Sequence, residues 1–250
     1  MKSTTLIFAL LIFMFSLPSK ACLNGETKEL KNGAIIYTDL SEEFYPIPEG
    51  YYFKKENLNS LAQNLQNLYN KTKDLDYLSD KGYVLIIEKK YQEAIDLYLE
   101  IEKMKPNRYS TASNIGTAYE LIGDNQNALK WIKKSIQINP NAHDGSEWIH
   151  AKILEAKIKG DAYVTSSFLL DTDFGTDDKP STKLSEEALK KLEKELYYQL
   201  NERVSFIKDK DKIVALLLFE LGNITYMHQK SNSLAVKLYE KAQEYGLSNP

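Results

Sequence analysis

The sequence predicts an all-α protein, a stack of helical hairpins with a short extended arm near its N-terminal end. Three observations carry that expectation. Leu75–Arg108 and Tyr109–Ala142 are one 34-residue unit written twice, a period typical of stacked helix pairs. Apolar residues recur at helical spacing in further segments on both sides of that pair. The helices within each unit are joined by short turns, so neighbouring helices must run antiparallel.

Asn57–Lys73 reads as the first helix, through Leu58, Leu61, Leu65, Leu68 and Tyr69. It is expected to pack on the first unit and cover its exposed face. The first helices of the two units are Asp76–Glu88 and Ser110–Leu121; the second helices are Tyr91–Met104 and Asn125–Ile138. Gly82, Gly116, Ala94 and Ala128 leave room where these helices cross, while Tyr98 and Trp131–Ile132 fill the space between units. Lys89–Lys90 and Gly123–Asp124 fall in the intervening turns, and Gly123 suits a left-handed residue after a helix end. Pro106 and Pro140 stop the second helices, because a residue before proline avoids the α region.

Asp144–Lys159 carries a broad apolar face of Trp148, Ile149, Ile153, Leu154, Ala156 and Ile158. Ser185–Val204 follows, with Ser185 as N-cap and Glu186 and Glu187 in the first turn, where the helix dipole favours acid. Lys212–Met227 and Ser233–Tyr245 make a last hairpin. There Leu221–Gly222, Ala235, Tyr239 and Ala242 repeat the earlier pattern with one extra residue between the halves. About eight helices are expected in one curved domain over 56–250, interrupted by a long loop at 163–183.

The second unit follows the pattern W-x2-L-G-x2-Y…A-x3-F…P through Ile115, Gly116, Tyr119, Ala128, Ile132 and Pro140. The first follows it through Gly82, Ala94, Tyr98 and Pro106. Both resemble tetratricopeptide (TPR) repeats, specifically over 75–142 and in degenerate form over 212–246. The resemblance implies a right-handed α-solenoid that works as a binding scaffold. With the leader described next and the stretch G-S-E-W-I-H-A-K-I-L-E-A-K at 145–157, the chain resembles exported TPR proteins of Bacteroidota-type bacteria.

Residues 1–21 read as a signal peptide: Lys2, an apolar run Leu6–Leu17, then small Ser19 and Ala21. The apolar run is too short for a membrane span. Export to the periplasm or cell envelope follows as an expectation. Cys22, the lone cysteine, would be the first mature residue. Two outcomes stay open for it: acylation as a lipoprotein, or a free thiol. Ser19 and Lys20 depart from the usual lipobox, Lys20 most. Residues 22–55 read as the extended arm, with turns at Asn24–Gly25 and Asn32–Gly33 and a short strand over Ala34–Thr38. A small β-hairpin is an alternative there. The arm is expected to wrap along the array or lead out to a partner.

The formal charge of −3, from 32 basic and 35 acidic residues, gives no basic stripe and points away from nucleic acid. By TPR geometry, the first helices line the inner, concave face. That places Asp76, Ser79, Asp80, Tyr83 and Ile86 there from the first unit, and Ser110, Ser113, Asn114, Thr117 and Glu120 from the second. These small polar groups suit an extended peptide or a helix, or else form a plain solvated face. A carboxylate clamp of the TPR kind is mostly absent. Asn114 fits its central asparagine, but Ser79 and Tyr83 occupy its lysine and asparagine positions.

In the 163–183 loop, Asp171, Asp173, Asp177 and Asp178 offer hard oxygen ligands. Gly175 and Thr182 break the EF-hand pattern, so acidic turn residues are the simpler account. Phe168, Leu169, Leu170 and Phe174 are expected to dock this loop on the array. His143 and His150 are seven residues apart and share a helix face, without the partners of a zinc motif.

No catalytic residue, metal site or cofactor is expected, and the chain reads as a non-enzyme. Its partner is expected to be a protein or peptide, with membrane contact only through a lipid on Cys22. The alternatives are an accessory or metal-dependent enzyme subunit using the acidic loop, or a purely structural envelope protein.

Overall fold

A computed structural model of the chain describes residues 29–39, 47–175, 179–228 and 232–247. The leader, Cys22, Asp177 and Asp178 lie outside the described residues. Ten α-helices follow a two-stranded antiparallel sheet. The strands are β1 (Tyr37–Asp39) and β2 (Tyr51–Phe53), with Tyr37 opposite Phe53. The arm therefore contains a β-ribbon, preceded by a single bridge between Glu29 and Ile35. The expected short strand is displaced to 37–39. The ribbon forms because Ile36, Tyr37 and Tyr51 have an apolar floor to bury against.

The helices are α1 (Leu58–Thr72), α2 (Leu75–Ile87), α3 (Tyr91–Met104), α4 (Tyr109–Leu121) and α5 (Asn125–Ile138). Then come α6 (Glu147–Lys159), a short α7 (Ser166–Leu170), α8 (Glu186–Phe206), α9 (Lys212–Met227) and α10 (Asn232–Glu244). From α1 to α7 each helix packs on the next, as do α8 on α9 and α9 on α10. None of the described helices is long and apolar enough to cross a membrane.

Local chemistry sets these boundaries. The side chains of Asp74, Asp124, Thr165, Ser185 and Asp211 each accept a hydrogen bond from a backbone N–H in the first turn of the following helix. These bonds satisfy donors that a helix start leaves free. After α4, Gly123 at φ +85° lets the Asp124 amide reach back to the Tyr119 carbonyl at 2.9 Å. After α2, Lys89 takes the same left-handed place at φ +63°, and the Lys90 amide reaches the Leu85 carbonyl at 2.9 Å.

The crossings are as tight as the sequence predicts. A Cβ on Gly82 would stand 2.5 Å from the Tyr98 ring, and one on Gly116 would stand 2.6 Å from Ile132 Cδ1. On Gly222 it would stand 2.5 Å from the Tyr239 ring. Thus α9 and α10 repeat the contact of α2 and α3 despite the extra residue. Leu169, Leu170 and Phe174 are buried in the same core as α8 and α9, with Phe168 packed at its edge. The described 163–175 part of this loop therefore docks on the array through these residues, and part of it folds as α7.

The unexpected feature is the place of α8. Leu189, Leu192, Leu196 and Leu200 enter the core shared with α9. Its opposite stripe, Glu195, Gln199, Glu202 and Arg203, is also buried. That stripe lies against α4, α6 and β2, so α8 is covered on both sides.

Candidate functional site

Each inner-face residue predicted from the sequence can be placed. Asp76 pairs with Arg108 at 2.6 Å and Lys31 at 3.2 Å. Burial opposes its ionisation, yet those two cations hold its carboxyl below the usual value. Asp80 accepts the Lys31 backbone N–H at 2.6 Å. Burial pushes its carboxyl up to about 6. Ser79 is buried, and its carbonyl accepts the Tyr98 hydroxyl at 2.8 Å. Tyr83 is buried with its ring 6.4 Å from that of Tyr37 on the arm. Ser110 and Asn114 are buried, and the Asn114 amide donates to the Tyr98 hydroxyl at 2.8 Å.

The inner face is therefore not an open polar groove along both repeats. The arm covers its α2 end, because Tyr37 and Lys31 supply apolar and charged partners there. Helix α8 covers its α4 end. Ile86 is part of the apolar core. The predicted residues divide into two groups, Asp76 and Asp80 under the arm, and Ser113, Thr117 and Glu120 around a cavity.

That cavity, of about 250 Å³, lies between α4, α6 and α8. Glu120 lines it and meets three side chains: His150 Nε2 at 2.6 Å, Lys157 Nζ at 2.7 Å and Arg203 Nη1 at 2.9 Å. Burial opposes its charge, but Arg203, His150 and Lys157 overcome that cost and hold its carboxyl well below the usual range. Glu147 is 2 % exposed. It is paired with His143 and accepts from Tyr109 at 3.1 Å and Ser113 at 3.3 Å. Burial again opposes ionisation, and His143 most strongly offsets it, leaving the carboxyl lowered to about 2.

His150 joins the two glutamates, with Nδ1 3.8 Å from Glu147 Oε2. A continuous polar chain thus runs from Tyr109 through His143, Glu147 and His150 to Glu120. Two consecutive non-glycine residues, His143 and Asp144, are left-handed at φ 54° and 55°. Backbone strain of this sort tends to gather at functional sites.

Glu147 and Arg203 line the cavity, and one atom of each, Glu147 Oε2 and Arg203 Nε, is sealed from solvent and has no hydrogen-bond partner among the described residues. Leu121, Phe206 and Ile207 supply an apolar wall. A wider hollow of about 1250 Å³ lies beside the arm and α1. It has no such buried unpaired atom, and its lysines, Lys54, Lys55, Lys89 and Lys208, sit in exposed or half-buried positions.

The acidic loop has ordinary structural partners. Asp171 accepts from Lys152 at 2.6 Å, and Asp173 accepts from the Gly175 amide at 3.2 Å and Ser167 at 3.1 Å. Among the described residues, no cluster of three or more His, Cys, Asp or Glu side chains is placed to hold a metal ion.

Stacked antiparallel hairpins with glycine-mediated crossings define a helical-repeat protein. A tetratricopeptide repeat family model matches residues 110–142, which span α4, α5 and the turn after them. The chain therefore carries a tetratricopeptide repeat at 110–142. Such a repeat suggests a scaffold for protein–protein interaction. A search of the curated proteins gives no match.

Ser113, Thr117 and Glu120 of the expected inner face line the cavity together with Glu147, Lys157, Glu202 and Arg203, which the sequence reading does not single out. The sequence pairs His143 with His150 on one helix face, but His143 lies outside α6 in a left-handed conformation, and His150 meets Glu120 instead. The buried stripe of α8 has one sequence signal. Glu195, Gln199 and Glu202 recur at helical spacing opposite the leucines, a pattern that also describes a solvated helix face.

Proposed function

We propose that this protein is an exported scaffold of the cell envelope that holds a protein or peptide partner at the inner face of its repeats. The contact point is the cavity where Ser113, Thr117 and Glu120 meet α6 and α8. The observation that carries this reading is the cavity itself, which brings Ser113, Thr117 and Glu120 of the repeat inner face together with side chains of α6 and α8.

Export rests on Lys2, the Leu6–Leu17 run and small Ser19 and Ala21. On this reading Cys22 is the first mature residue and, if acylated, ties the scaffold to a membrane. Neither catalysis nor a cofactor enters the account.

A photo-crosslinking amino acid at half-buried Leu121, on the cavity wall, tests the binding face. The same probe at exposed Glu93 on α3 is the control. A partner captured from Leu121 and not from Glu93 supports the reading. No partner from Leu121, or equal capture from both positions, contradicts it. Intact-mass measurement of the purified protein tests export. Loss of residues 1–21 is the expected result, and retained Met1 contradicts it.

A further inference from the structure

The stretch Y-Y-F-K-K-E-N at 51–57 sets aromatic and basic residues side by side. Strand alternation sends Tyr51 and Phe53 to one face of β2 and Tyr52 to the other. Tyr51 is buried, whereas Tyr52 is 70 % exposed. Tyr52 lines the hollow of about 1250 Å³ between the arm, the start of α1 and the end of α2. Ile35, 51 % exposed, lines it too.

Charge on this wall is one-sided. Lys54, Lys55, Lys89 and Lys208 line it against one acid, Glu56. Among the described residues, Lys54, Lys55 and Lys89 make no ion pair, and Lys208 donates to the Val204 carbonyl. The neighbouring charges do not reverse the balance. Lys90 is paired with Glu88 at 3.2 Å, and Lys241 with Glu49 at 2.8 Å. Counting Glu29, whose carboxyl lies beside Gly33, and Glu202, which accepts from the Tyr51 hydroxyl, still leaves cations in excess. Burial first, then Lys241 and Lys55, hold the Lys208 amine below its ordinary value. Helix α1 also starts on this wall with no side-chain cap and no acid in its first turn, which adds the positive end of its dipole. The hollow therefore favours an anionic ligand.

Size and shape decide which anion fits. The volume is above the usual range for a small-molecule site. A bilayer surface is flat and cannot follow a concave wall. Inorganic phosphate would leave Ile35 and Tyr52 in water. An extended peptide uses every part of the wall. Its acids reach the lysines, an apolar side chain covers Ile35 and Tyr52, and its backbone meets Asn57, Ser60 and Asn64 on the α1 side.

We propose that this hollow docks an extended acidic segment of a partner protein, with an aromatic residue among its acids. The surface goes beyond the cavity assigned above as the contact point. The two hollows share Phe206 alone, so the fate of one reading does not decide the other.

Fluorescence anisotropy on the full chain tests it, with two labelled peptides as probes, acetyl-Gly-Asp-Glu-Phe-Asp-Glu-Gly-amide and its Asn/Gln counterpart. The acidic peptide should bind at least about tenfold more tightly than the neutral one, and added salt should weaken it. Lys54→Glu with Lys55→Glu should weaken the acidic peptide at least about tenfold. Both side chains are exposed, so the unfolding midpoint should not move. Lys103→Glu with Lys105→Glu, at exposed positions by the end of α3, makes the same change in net charge and should leave binding intact. Tyr52→Ala should weaken it at least about fivefold, as loss of an aromatic anchor does.

Equal binding of the two peptides, or no binding of either at millimolar concentration, overturns the proposal. So does an equal loss in the Lys103 and Lys105 variant, which would report net charge alone. Phosphatidylglycerol vesicles are the last arm. Vesicle binding that the Lys54 and Lys55 variant loses, with no peptide binding, assigns these lysines to a membrane surface and overturns the proposal as well.

Discussion

Arg203 on α8 holds Glu120 on α4 with both terminal guanidinium nitrogens, at 2.9 and 3.3 Å, across 83 residues of sequence. Both side chains are largely buried, 6 % and 9 % exposed. Paired contacts of this type are directional, so the bond fixes the register of α8 on the repeat as well as its distance. It sets α8 against the inner face of the repeat beside the cavity.

Acid should weaken this region. The Glu147 carboxyl is lowered to about 2 from an ordinary 4.5, and Glu120 is likewise held well below its ordinary value. A carboxyl lowered by folding binds fewer protons in the native state. Its contribution is complete above pH 4.5 and is lost as pH falls towards 2. For Glu147 alone the loss is about 3 kcal/mol at most. Denaturant titrations at pH 5, 4 and 3 should show falling stability, with a shallower fall in Glu147→Gln.

Asp80 should act in the opposite sense. Burial raises its carboxyl to about 6 from an ordinary 3.8, so the native state binds the proton more tightly than the unfolded chain. Stability therefore rises as pH falls from above 6 towards 4. Asp80→Asn keeps an acceptor for the Lys31 amide and removes the buried charge. We expect it to stabilise the protein at pH 7.5 by on the order of 1–2 kcal/mol, with no gain at pH 4. Unfolding midpoints at the two pH values check this.

Gly116→Ala should destabilise by about 1–3 kcal/mol through overpacking, because its Cβ would press on Ile132. Gly222→Ala should do the same through Tyr239. Equal losses would show by equilibrium unfolding that the last hairpin is packed as a repeat. A neutral Gly222→Ala would show that it is not.

The arm has its own anchor. Gly50, at φ +79°, lies so near α8 that a Cβ would stand 2.8 Å from the Ser205 amide nitrogen. Its N–H donates to Asn201 at 2.8 Å, the Tyr51 N–H donates to Ser205 at 2.7 Å, and the Tyr51 hydroxyl donates to Glu202 at 2.6 Å. Gly50→Ala adds left-handed strain of about 1–2 kcal/mol and a backbone clash. Faster tryptic cleavage at Lys54 and Lys55 is the expected sign that the arm has lifted.

Local features of this fold were legible in the sequence. The bounds of α3, α5 and α9 coincide with those read from it, because proline, glycine and capping aspartates act on their own neighbours. The Ser185 cap and the docking of Phe174 follow from equally local chemistry. The place of α8 does not. Arg203 and Glu120 are both ordinary surface residues by type, and only the tertiary fold brings their helices together. The ribbon in the arm was legible only as an alternative, since Tyr51 meets Tyr37 and Glu202 from distant parts of the chain. Asn114 shows the converse. Its position fits a peptide clamp, yet its amide is committed to Tyr98.

The central claim is that α8 closes the inner face through Arg203 and Glu120. A double-mutant cycle on stability, with Glu120→Gln, Arg203→Met and the pair, measures that contact directly. The account predicts a coupling energy of at least about 1 kcal/mol, within the range for residues in contact. Losses that add to within about 0.3 kcal/mol, as for independent sites, would contradict it.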